Sequence, residues 1–117
     1  HPLSEDFNYT GRNLISYTFM DTPYQASAWT EMYQQVVKFL FEMDVTIIYQ
    51  LVHKDNGMGL SFTDIETNGY VEIDDRVYLF VGNSTMAKIN NLRKLFARYN
   101  LEEDELILEI QSQDNSV

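Results

Sequence analysis

The chain has 117 residues, 44% of them hydrophobic and 22% charged, the size and balance of one globular domain with a core of its own. Eighteen acidic residues against eight basic give a formal charge of −10, which favours solubility and repels polyanions at long range. The absence of cysteine excludes disulfides, a thiol nucleophile and a thiolate zinc site.

Residues 1–10 mix polar and acidic groups with Phe7 and Tyr9 and are expected to be a flexible lead-in. From Leu14 to Phe19 β-branched and aromatic residues alternate with others as in a strand, Asp21-Thr22-Pro23 supplies a turn, and residues 24–26 return as a short second strand. Trp29, Met32, Tyr33, Val36, Val37, Leu40 and Phe41 then recur at helical spacing, with Ser27 as the expected cap, so one face of a long helix is committed to a core. Asp44 is placed to cap a second, shorter helix carrying Ile47, Ile48, Leu51 and Val52, which runs to about Lys54.

Asp55-Asn56-Gly57 and Gly59 break the helical period. Beyond Leu60 the period falls to two, and Asn68-Gly69, between residues 65–67 and 70–73, has the composition of a two-residue hairpin turn. Residues 77–81 are apolar on both faces, as a central strand should be. Ser84 or Asn83 caps a third helix with Ile89, Leu92, Leu95, Phe96 and Tyr99 on its apolar side, and Asn100 suits a left-handed terminus. After the acidic run 102–105, residues 106–110 alternate as a last strand, and 111–117 form a polar tail.

The expected architecture is a single compact α+β domain over residues 11–110, in the order ββααβββαβ, with three helices packed on a mainly antiparallel sheet. No apolar run reaches the roughly 18 residues of a membrane span, and with no cysteine the cytoplasm is the expected default location. The chain opens with His1-Pro2 and reads as a piece of a longer polypeptide.

The hairpin, Ser27-Ala28-Trp29 opening a long helix, the Phe41-Glu42-Met43-Asp44 corner, the run Ile73-Asp74-Asp75-Arg76-Val77-Tyr78, and Gly82-Asn83-Ser84 before the third helix together form a pattern. It resembles a small module found toward the C-terminus of bacterial defence proteins, including some similar to GmrSD-type restriction nucleases. The resemblance covers residues 11–110, departs from the pattern at Val45, where a proline is expected, and carries no catalytic residues. It implies an accessory domain attached to a nuclease or sensor.

No phosphate-binding or metal-binding motif is present, and no cofactor is expected. His53 near a helix end suits the helix dipole better than catalysis, since no nucleophile accompanies it. Asp55-Asn56-Gly57 begins like a calcium loop but lacks the later oxygen ligands and closing glutamate. Asp64, Glu66, Glu72, Asp74 and Asp75 gather around one hairpin, where a solvated face outweighs an acid–base pair.

The third helix carries Lys94 and Arg98 at i, i+4, with Arg93, Asn90 and Asn91 beside them. That is a partner-binding or nucleic-acid-contacting face if it is more than an ordinary polar one. Phe39, Met43 and Tyr49 fall off the apolar ladders and form surplus aromatic and thioether surface. The expected function is therefore a non-catalytic accessory or protein-interaction domain of a larger bacterial protein, meeting another protein, a neighbouring domain or a second copy. The alternative is a nucleic-acid-contacting module using the third helix, and a small hydrolase on the hairpin carboxylates ranks third.

Overall fold

The computed structural model describes residues 1–53 and 60–112. Six strands and three helices follow in chain order: β1 (Leu14–Phe19), β2 (Thr22–Gln25), α1 (Trp29–Met43), α2 (Val45–His53), β3 (Phe62–Thr63), β4 (Tyr70–Asp74), β5 (Val77–Phe80), α3 (Thr85–Arg98) and β6 (Leu106–Ile110). The α+β class and the element order are as expected, but the strands form two three-stranded antiparallel sheets, β2-β1-β6 and β3-β5-β4, rather than one. Helix α1 joins them, because it packs against β1 of the first sheet, β4 of the second, and both other helices.

Six of the seven ladder residues read from sequence, Met32, Tyr33, Val36, Val37, Leu40 and Phe41, lie inside, and the first, Trp29, is half-buried. Ala28, not Ser27, occupies the cap position and makes no side-chain cap bond; instead Glu31 Oε1 accepts from the Ser27 N–H at 3.2 Å. Asp44 does cap α2, its Oδ1 accepting from the Thr46 N–H at 3.0 Å, and Ser84 Oγ caps α3 by accepting from Ala87 N–H at 3.1 Å. At the far end of α3, Asn100 takes φ 54°. The Leu101 N–H returns to Phe96 O at 2.9 Å and the Asn100 N–H to Ala97 O at 3.2 Å, a Schellman closure.

Two turns differ from their sequence reading. The first hairpin turns at Met20-Asp21, with φ of 50° and 67°, so Pro23 lies inside β2 on the sheet edge, where its missing N–H is tolerated. Asn68-Gly69 forms a turn closed by Tyr70 N–H to Thr67 O at 3.1 Å, but residues 65–67 are not a strand, and β3 pairs with β5 rather than β4. Only Gly69 has positive φ there, which gives a type II rather than a type I′ turn and so does not align flanking strands as a hairpin. The central place of β5 is as expected.

Residues 1–10 are not a loosely held lead-in. Leu3 and Tyr9 are fully buried, Pro2 bridges Ile107, and the Leu3 N–H donates to Leu106 O while the Leu108 N–H donates to His1 O, each at 2.8 Å. The segment covers the otherwise open side of β6, satisfying backbone groups that a bare edge would leave to solvent. Its rings continue inward, Phe7 to Tyr9 at 4.8 Å and Tyr9 to Trp29 at 5.2 Å. Asp55, Asn56, Gly57, Gly59 and tail residues 113–117 lie outside the described residues.

Arg76 closes the β4–β5 turn at φ 60°, and its guanidinium lies 3.7 Å from the Asp64 carboxylate, with both side chains well exposed. Arg76→Gly is expected to raise stability by about 0.5–1 kcal/mol, since relief of the left-handed strain outweighs an exposed ion pair. Urea unfolding checks it: a midpoint that falls would mean the pair matters more than the strain.

Candidate functional site

Between the β1–β2 hairpin and the last turn of α1 lies a groove of about 290 Å³, with Phe19, Tyr24 and Phe39 as its floor and Met20 and Met43 on its rim. The rings of the floor support one another. Phe39 lies 5.7 Å from Phe19 with planes 8° apart, and 4.8 Å from Tyr24; Tyr24 in turn stacks on Tyr17 at 5.4 Å. Tyr17 is held from below by its hydroxyl, which donates to Gln35 Oε1 at 2.5 Å, and burial raises its pKa. The rim is open: Met20 is 42% exposed and Met43 47%.

The apolar surface extends past the corner at Asp44 to Val45 and Tyr49, which share a face of α2 at i, i+4 and are both exposed. Tyr49 meets Phe41 edge to face at 5.5 Å, so its ring leans on the core while its rim faces water. Phe39, expected as surface, is half-buried and supports the groove; Met43 and Tyr49 lie outside as expected. Met20 and Tyr24 carry no such signal in the sequence, because the turn falls one residue earlier than Asp21-Thr22-Pro23 implies and Tyr24 fits the alternation of an ordinary strand.

The basic residues of α3 divide between two roles. Lys94 and Arg98 are exposed on one side. Arg93 is a clamp: Nε donates to Leu3 O, Nη2 to Glu5 O and Nη1 to Asn90 Oδ1, each at 3.0 Å, with the Glu103 carboxylate 3.4 Å from Nε. Arg93 and Asn90 are thus engaged in holding residues 1–5. The acidic run also lies beside them, since Arg93 shares a cleft with Glu102, Glu103 and Asp104. A phosphate approaching Arg93 would meet these carboxylates first.

Lys88 and Asn91 are buried, polar residues on the same helical face as Leu92 and Leu95. Lys88 Nζ donates to Val81 O at 3.0 Å and Asn83 O at 2.6 Å and sits 5.9 Å over the Tyr33 ring; burial lowers its pKa. Asn91 Nδ2 donates to Tyr33 Oη at 3.1 Å. The signal available was a lysine at the first turn of α3, close enough to cap the loop that precedes the helix.

Asp64 pairs with Arg76 at the surface, and Glu66, Glu72, Asp74 and Asp75 are exposed. Among the described residues no group of three or more histidines, aspartates and glutamates is placed to hold a metal, and no helix is long and apolar enough to cross a membrane. The chemistry this surface offers is a shaped apolar groove with an acidic border. Comparison with protein-family models, curated proteins and solved structures finds no match to this chain.

Proposed function

We propose that this is a non-catalytic interaction domain of a larger bacterial protein of the cytoplasm, which recognises a partner protein or neighbouring domain through the groove at Phe39 and Met43. The carrying observation is the pairing of a fixed aromatic floor with two methionines left 42% and 47% exposed on its rim. Aromatic and methionine side chains at the surface are the composition of contact cores, and Met adapts its shape to an incoming side chain. Attachment to a defence nuclease or sensor rests on the resemblance of residues 11–110 to such accessory modules. The nucleic-acid reading is weaker, because Arg93 is tied to the backbone of residues 3 and 5.

Methionine oxidation tests the reading. Met20 and Met43 should oxidise readily in the isolated domain and be protected several-fold in the full-length protein inside its own cells. Met43→Gln should restore oxidation of Met20 there while shifting stability by no more than about 0.5 kcal/mol, as expected at an exposed position. Equal oxidation of both methionines in the cell and in isolation would sink the interaction reading.

A further inference from the structure

Building on that interaction reading, we infer that the occupant of the groove is an extended basic segment of a partner polypeptide. It adds as a strand to the free side of β2 and places an apolar side chain between Phe39 and Met43. Three independent observations converge on this occupant: the backbone groups β2 presents, the position of the groove relative to that edge, and the charge around it.

The order β2-β1-β6 leaves β2 unpaired on one side. Positive φ at both Met20 and Asp21 defines a two-residue turn, so the closing pair Phe19 and Thr22 exchange their bonds with each other. Alternation then directs the Tyr24 backbone toward β1 and that of Pro23 and Gln25 outward. Pro23 lacks its N–H where β1 requires none. The outer side offers the carbonyls of Pro23 and Gln25 and the Gln25 N–H, none of which has a backbone partner among the described residues.

Thr22 and Tyr24 are the β2 residues that line the groove, opposite Met43 and Phe39 of α1. A strand added beside β2 would run about 4.8 Å farther out and send every second side chain into this space. Strand addition supplies affinity through main-chain bonds and specificity through pockets for alternate side chains, and both elements are present together.

Charge selects the segment. Glu42 lines the groove, and Asp21 and Asp44 adjoin its rim residues Met20 and Met43. Lys38, one turn back on α1, is the basic residue nearest to Glu42 along that helix. On a chain of formal charge −10, this border attracts lysine and arginine and opposes a second copy, which would bring its own carboxylates against the same ones.

A random peptide display library selected on the wild-type domain provides the test, with binding then measured on variants whose thermal unfolding matches the wild type. Selected peptides are expected to carry lysine or arginine around a large apolar residue. They should bind at least tenfold more weakly to Met43→Gln, to Asp21→Asn/Glu42→Gln, and to Gln25→Pro, which removes an outward N–H of β2 together with an exposed side chain. Peptides sensitive to Met43→Gln but lacking a basic bias, or indifferent to Gln25→Pro, would overturn this inference and leave the interaction reading standing. Self-association that masks Met20 and Met43 would do the same. Absence of any peptide sensitive to Met43→Gln also overturns it, and the methionine footprint then decides the interaction reading separately.

Discussion

Lys88→Ala is expected to lower the stability of the domain by about 3 kcal/mol, a large share of the 5–15 kcal/mol typical of a single domain. Lys88 is 4% exposed, and its ammonium is the donor that satisfies the carbonyls of Val81 and Asn83 at the junction of β5 and α3. Truncation leaves two acceptors short of a donor and opens a space under the Tyr33 ring. Lys88→Met keeps the packing but not the donors, so its loss should fall between wild type and alanine. Urea unfolding of the three proteins measures the series, and equal midpoints would remove the clamp from the account.

The same residue gives a signed pH effect. Burial lowers the Lys88 pKa below its ordinary 10.5, so between the folded and unfolded values the unfolded chain binds more protons. Through that window stability contributed by this group rises with pH, and the cost of burying the charge is full below it. Buried Tyr17 and Tyr33 and half-buried Tyr99, whose pKa values are raised, act in the opposite direction above about pH 10, where the unfolded chain loses tyrosine protons first. The difference between wild type and Lys88→Met therefore isolates the lysine: the stability gap should change with pH just below 10.5 and be flat near neutrality.

Arg93→Ala is expected to free residues 1–5 from the body of the domain at a cost of about 2 kcal/mol, through loss of charge-assisted bonds to backbone carbonyls. Its guanidinium reaches Leu3 O, Glu5 O and Asn90 Oδ1 at once, a fork that the single ammonium of Arg93→Lys does not reproduce. Hydrogen exchange should speed up at the Leu3 and Leu108 amides, which pair across the segment's contact with β6, while the amides of α1 keep their protection relative to global unfolding. Unchanged exchange at Leu3 would show that burial of its side chain alone holds the segment.

The buried ladder of α1, the Asp44 and Ser84 caps, the left-handed Asn100 and the middle position of β5 were all legible in the chain, since each depends on residues within a few positions of one another. The Ser27 cap and the Asn68-Gly69 hairpin were not. In the first, Glu31 takes the Ser27 N–H and the helix starts one residue later; in the second, strand partners are chosen across the sheet rather than by the turn. The candidate surface was half visible. Phe39, Met43 and Tyr49 stood out as apolar residues off the ladders, whereas Met20 entered only because a methionine adopts φ 50° at a turn whose N–H is held by Glu105 O at 2.8 Å.

By itself, the amino-acid order determined where α2 and α3 begin, where α3 ends, which helix faces turn inward, and that the chain carries a strong net negative charge. Local backbone preferences and hydrophobic period act over a turn or two and need no distant partner. Only the tertiary structure decided that the strands divide between two sheets, that residues 1–3 cover β6, that Arg93 faces those residues instead of solvent, and that Lys88 is buried. The first three depend on backbone groups brought together from positions far apart in the chain, and even the local bonds of Lys88 to Val81 O and Asn83 O leave no mark in the sequence, because a hydrogen bond to a carbonyl carries no trace of the side chain that the carbonyl's residue bears.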